Sequence, residues 1–75
     1  MPRTSSTTRI NPAALRDLRE RSGFTFRDLA KRAGLNHSFI IQIESGKSAA
    51  SPKTIRKLAD AFAVDFDDLL LEDDE

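Results

Sequence analysis

GLNHSFIIQIESGK, residues 34–47, is a helix written between two glycine stops, and its two faces differ in kind. Asn36 is a helix N-cap by type, because its side-chain oxygen accepts from the free amides of a first turn. Leu35 before it and Ile40 four residues inside form a hydrophobic staple. At roughly 100° per residue, Ile40 and Ile43 share one face with Phe39 on its flank. Ser38, Ile41 and Ser45 centre the opposite face, bordered by His37 and Gln42. A solvated helix surface normally carries Lys and Glu. This one offers hydroxyl, imidazole, amide and a bare isoleucine, the side-chain types that meet base edges in a DNA groove.

Upstream, FTFRDLAKRAG, residues 24–34, supplies a partner helix. Thr25 is the N-cap with Asp28 three residues on, and Phe24 staples to Leu29. Gly34 ends that helix. Two short helices joined by a glycine turn, the second with an uncharged outer face, make a helix-turn-helix arrangement.

The same grammar extends in both directions. Asn11 and Pro12 open a first helix, Ile10 staples to Leu15, and Leu15 with Leu18 gives its buried stripe. Ser51 and Pro52 open a helix in which Ile55, Leu58, Ala59 and Phe62 recur at helical spacing. Asp65 caps the last, with Val64 stapled to Leu69 and Asp67 and Asp68 on its positive end. The reading is all-α, with five short helices at 12–22, 26–33, 37–45, 52–62 and 66–71 forming one compact domain. Its expected core is Ile10, Leu15, Leu18, Leu29, Ala30, Ala33, Leu35, Ile40, Ile43, Ile55, Leu58, Ala59, Phe62, Val64 and Leu69. Residues 1–9, rich in Ser and Thr, read as a flexible arm, 10–71 as the domain and 72–75 as an acidic tail.

The totals bound the function. Seventy-five residues make one small domain near the lower limit for a single apolar core. With no cysteine and one histidine, thiol chemistry, disulfides and a zinc site lack their residues, and no other cofactor or small-molecule ligand is expected. No phosphate-cradling glycine loop or cleft-sized core is written, so the chain reads as no enzyme, with no catalytic residues. No run is long and apolar enough for a membrane span or signal peptide, which points to the cytoplasm. Formal net charge is zero, yet all 12 Lys and Arg lie in residues 1–57 beside four acids, giving +8 there and −8 beyond. Such asymmetry suggests a basic binding region with an acidic end held away from it.

From Ile10 to Leu70 the chain resembles the phage repressor and Cro family of helix-turn-helix proteins, the XRE-like group. LRERSGFTFRDLAKRAGLNHSFIIQIESGK, SPKTIRKLADAFAV and DFDDLL carry the resemblance in that order. It implies a five-helix domain that binds double-stranded DNA operators, as a repressor or Cro-like transcriptional regulator, commonly as a dimer on near-palindromic sites. By position it makes His37, Ser38 and Gln42 base readers with Ile41 beside them, and it implies an ion pair between Arg19 and Glu44. Two positions depart from the family pattern. Phe26 stands where glutamine is usual, so its ring is expected on sugar or on Phe39. Ala63 stands where glycine is common, so the turn after the fourth helix is expected to be reshaped.

On this reading Gln42 bonds adenine N6 and N7, His37 meets a purine N7 edge and Ile41 covers a thymine methyl. Phosphate contacts come from Thr25, Arg27, Ser45, Lys47 and Lys53 together with helix N-termini. Arg3 and Arg9 are candidates for an arm following the minor groove. Phe66, Leu69, Leu70 and Leu71 are the candidate homodimer contact. The rival is a protein-interaction module of the same fold, an antitoxin, anti-repressor or adaptor, with Phe26, Phe39 and Ile41 as an apolar docking patch.

Overall fold

Asn11 Oδ1 accepts from the amides of Ala13 and Ala14 at 3.0 and 3.2 Å and, with Pro12 in the first turn, starts α1 (Pro12–Ser22). Thr25 and Asp28 exchange backbone and side-chain hydrogen bonds in a capping box that starts α2 (Phe26–Ala33). Asn36 caps α3 (His37–Glu44), and Ser51 with Pro52 starts α4 (Pro52–Phe62). The computed structural model describes residues 9–71. Arg3, the rest of the arm before residue 9 and the tail at 72–75 lie outside the described residues.

The helices close around one core. Leu15, Leu29, Ile40, Ile43, Ile55, Leu58 and Leu69 are wholly buried, each supplied by the apolar stripe of its own element. α2 packs against both α3 and α4, and α1 against α3. This arrangement holds α3 by one face only. Leu18, Leu35, Phe62 and Val64, expected inside, are half-buried at the core's margin. Ala50 is buried instead. It precedes the Ser51 cap and stands five residues before Ile55, the first core residue of α4, so it occupies the staple position already used by Leu35 and Phe24.

The fifth helix is shorter than its pattern suggested. Phe66–Leu69 is a single 3-10 turn, capped by reciprocal bonds between Asp65 and Asp68. The chain then extends. Leu70 forms an antiparallel bridge with Ile10, through Asn11 N–H to the Leu69 carbonyl at 2.8 Å and Leu71 N–H to the Arg9 carbonyl at 2.9 Å. Those bonds satisfy backbone groups on both segments, whereas a short helix gains little from propagation after its nucleation cost. Leu69 is thereby wholly buried and unavailable to a partner, while Leu71 stays 45% exposed and Phe66 and Leu70 half-exposed. The proposed dimer contact thus loses Leu69.

The turn after α4 keeps its left-handed geometry although an alanine fills it. Ala63 has φ 59° and ψ 43°, and the amides of Ala63 and Val64 donate back to Asp60 and Ala59. It is the one described non-glycine residue with positive φ. The expected reshaping does not occur, because those two bonds close the helix end and Val64 packs at the core's margin.

Candidate nucleic-acid interface

α3 is split by its burial. Ile40 and Ile43 have no exposed surface, while Ser38, Ile41, Gln42 and, one residue past the helix, Ser45 face outward. Ile41 is 42% exposed, and no charged side chain interrupts this outer face between His37 and Gln42. His37 is half-buried at the first helical position. It borders a shallow groove between α2 and α3 that Arg27, Lys31 and Asn36 also line.

The angle of α3 is held at its far end. Arg19 on α1 grips Glu44 through two donors, Nε to Oε2 at 2.7 Å and Nη2 to Oε1 at 3.3 Å. Its Nη1 donates to the Phe24 carbonyl at 3.0 Å. The guanidinium lies 4.1 Å from the centroid of Phe26, so this ring covers the ion pair rather than resting on Phe39. A planar cation stacked on a ring and forked onto a carboxylate has few ways to move.

The cationic candidates sit on separate elements, Arg27 at the start of α2, Lys47 in the loop after α3 and Lys53 in the first turn of α4. Arg27, Lys47 and Lys53 are exposed, and among the described residues none of them is engaged in an ion pair. At the first two positions of α2, Phe26 and Arg27 carry amides for which a helix supplies no carbonyl, a ready donor pair for an anionic oxygen. Thr25 is exposed at that cap, and its N–H, followed by its hydroxyl, holds the Asp28 carboxyl below the usual range. Ser45 differs from the other phosphate candidates. Its hydroxyl donates to the Gln42 carbonyl at 3.0 Å, which leaves only lone pairs facing outward, and a phosphate contact would need that bond broken. Arg9 is exposed beside the chain bridge, with its carbonyl engaged by Leu71.

One residue of this region has no counterpart in the sequence reading. Ser48 Oγ donates to Gln42 Oε1 at 2.9 Å, and the amides of Lys47 and Ser48 both donate to the Gln42 carbonyl, at 2.9 and 3.2 Å. The loop therefore folds back onto the helix it leaves. Gly46, at φ 82°, is the reversal that permits it. Periodicity has no signal for a contact made across that reversal.

Comparison with known proteins adds the family context. The family model described as helix-turn-helix domain matches residues 13–72. An uncharacterized HTH-type transcriptional regulator of Archaeoglobus fulgidus is 34% identical over 61 residues, covering 81% of this chain and 87% of that protein. The crystal structure of a restriction-modification controller protein from Aeromonas hydrophila superposes with a TM-score of 0.74 at 32% identity, covering 76% of this chain and 86% of that one. A glutamine–fructose-6-phosphate aminotransferase of Methanocaldococcus jannaschii is 30% identical over 60 residues, 79% of this chain but 6% of its own length. That last likeness concerns one small segment of a much longer protein.

Proposed function

Because the chain belongs to the helix-turn-helix domain family, and is similar along most of its length to a transcriptional regulator of that family, we propose that it binds double-stranded DNA at specific sequences to regulate transcription. The observation that carries this reading is the division of α3: two isoleucines wholly inside, and an uncharged, exposed row of Ser38, Ile41 and Gln42 outside. An eight-residue helix held by one face, with its other face free of charge, suits a major groove about 12 Å wide.

Gln42, His37, Ser38 and Ile41 contact base edges, and Arg27, Lys47, Lys53, Thr25 and the amides of α2 contact phosphates. The phosphate set positions the domain; the α3 set reads sequence. Few side chains reach bases, so one domain specifies a short half-site, and two copies on a near-palindrome supply the remaining selectivity. Phe66, Leu70 and Leu71 are the surface available for that pairing. Arg9 extends the basic frame toward an adjacent minor groove. The protein-module reading drew on Phe26, which here is stacked under Arg19. It has less apolar surface to offer than the sequence suggested.

Selection of bound duplexes from a random pool tests the function. A short, symmetric consensus is expected, and Gln42→Ala and His37→Ala should each erase preference at one or two base pairs while retaining general affinity. A pool returned unenriched at low salt would contradict the proposal.

A further inference from the structure

We infer that Ser48 is a positioning residue for base readout, fixing which end of the Gln42 amide faces the groove. The inference rests on the reading of Gln42 as a base contact. Ser48 lies outside α3, yet its hydroxyl reaches across six positions to donate to Gln42 Oε1 at 2.9 Å. Ser48 is half-buried and Gln42 exposed, so the bond ties a mobile type of side chain to a better-anchored one.

The anchoring is extensive. The Gln42 backbone carbonyl accepts from Ser45 Oγ at 3.0 Å, Lys47 N at 2.9 Å and Ser48 N at 3.2 Å. Loop and side chain thus form one unit with the end of α3. An exposed glutamine otherwise samples many rotamers, and all of that freedom must be lost when it meets a base. Here much of it is already lost in the free protein. With its oxygen turned toward the loop, the amide presents its NH2 group as the leading donor, suited to a purine N7. The oxygen keeps a second lone pair for an adenine N6–H.

The test uses the full chain with Ser48→Ala, Ser48→Thr, Gln42→Ala and the Ser48→Ala/Gln42→Ala double variant. Binding is measured on the selected duplex and on duplexes altered at the base pair whose preference depends on Gln42. Loss of one neutral hydrogen bond corresponds to roughly a 3- to 10-fold weaker complex. Ser48→Ala should show that loss on the selected duplex, with relaxed preference at that base pair, and Ser48→Thr should restore both. In the Gln42→Ala background the Ser48→Ala change should have no effect. In DNA-free protein, nitrogen relaxation at Gln42 Nε2 should report a restrained amide in the wild type and Ser48→Thr and a mobile one in Ser48→Ala.

Equal losses in both backgrounds, or on all duplexes alike, would overturn the positioning role, as would an amide equally mobile with and without the Ser48 hydroxyl. If Gln42→Ala alters preference at no base pair, base reading by Gln42 fails and this inference goes with it. If Gln42→Ala alters preference and Ser48→Ala does not, only the inference about Ser48 fails.

Discussion

Arg19 and Glu44, 25 residues apart, meet at 2.7 Å with their side chains 13% and 7% exposed, and this contact joins the first helix to the end of the third. Two nearly buried opposite charges add little net stability, because desolvation offsets their attraction. Their bidentate geometry instead fixes an angle. Removing one partner strands the other, so Glu44→Ala should destabilise the domain by about 3 kcal/mol. Urea unfolding measures this, and a loss below 1 kcal/mol would mean that water reaches the pair freely.

Ala63 keeps a left-handed backbone at φ 59° in a turn that glycine adopts without strain. An L-residue there carries on the order of 1 kcal/mol, partly balanced by the greater unfolded-state freedom of glycine. Ala63→Gly should stabilise the protein by about 0.5 kcal/mol and leave DNA affinity unchanged. Thermal unfolding decides it, and a lower midpoint would refute the strain.

The N–H of Thr25 donates to Asp28 Oδ2 at 2.9 Å and is the main reason the Asp28 carboxyl titrates below its usual value of 3.8. A depressed folded value means that the unfolded chain takes up this proton first as pH falls. The stabilisation is therefore complete above the usual value and is lost as pH falls through the depressed one. Asp28→Asn keeps an acceptor for Thr25 but cannot titrate. Below pH 4 its stability should decline less steeply than that of the wild type, and parallel decline in acid urea titrations would exclude the capping charge as a cause.

Lys47 is exposed in the loop between α3 and α4, and Lys53 is exposed in the first turn of α4. A lysine on phosphate releases a counterion without reading sequence. Each alanine substitution should weaken selected and unselected duplexes by the same factor and reduce the salt slope of log K by about 0.9. A change confined to the selected duplex would reassign that lysine to base reading.

Helix starts were legible because each is written locally. Asn11, Thr25, Asn36 and Ser51 all accept from first-turn amides, and glycines close α1 and α2. The outer face of α3 was legible for the same reason, since periodicity alone separates Ile40 and Ile43 from Ile41. The contacts that escaped are those made between distant segments. Pairing of Ile10 with Leu70 ended the last helix early, and stacking of Arg19 on Phe26 gave that ring a role inside the protein. The hold of Ser48 on Gln42 crosses a glycine reversal. Local rules fix where helices begin, whereas such bonds depend on where the finished fold brings their ends.

Phe26 brings its ring within 4.1 Å of the Arg19 guanidinium, beside the groove that Ile41 and Glu44 also line. Two origins of its stabilisation are separable. As plain apolar packing, Phe26→Leu would cost the same whatever stood at position 19. As a cation–π partner, the ring contributes about 1 kcal/mol only while the guanidinium is present. A cycle of Phe26→Leu, Arg19→Met and the double variant separates them, provided that Glu44→Gln is introduced throughout so that no buried carboxylate is left unpaired. A coupling near 1 kcal/mol is expected from urea unfolding. With it, the ring belongs to the clamp that sets the angle of α3, and Phe26→Leu should weaken DNA binding without touching DNA; additive effects would return Phe26 to ordinary packing.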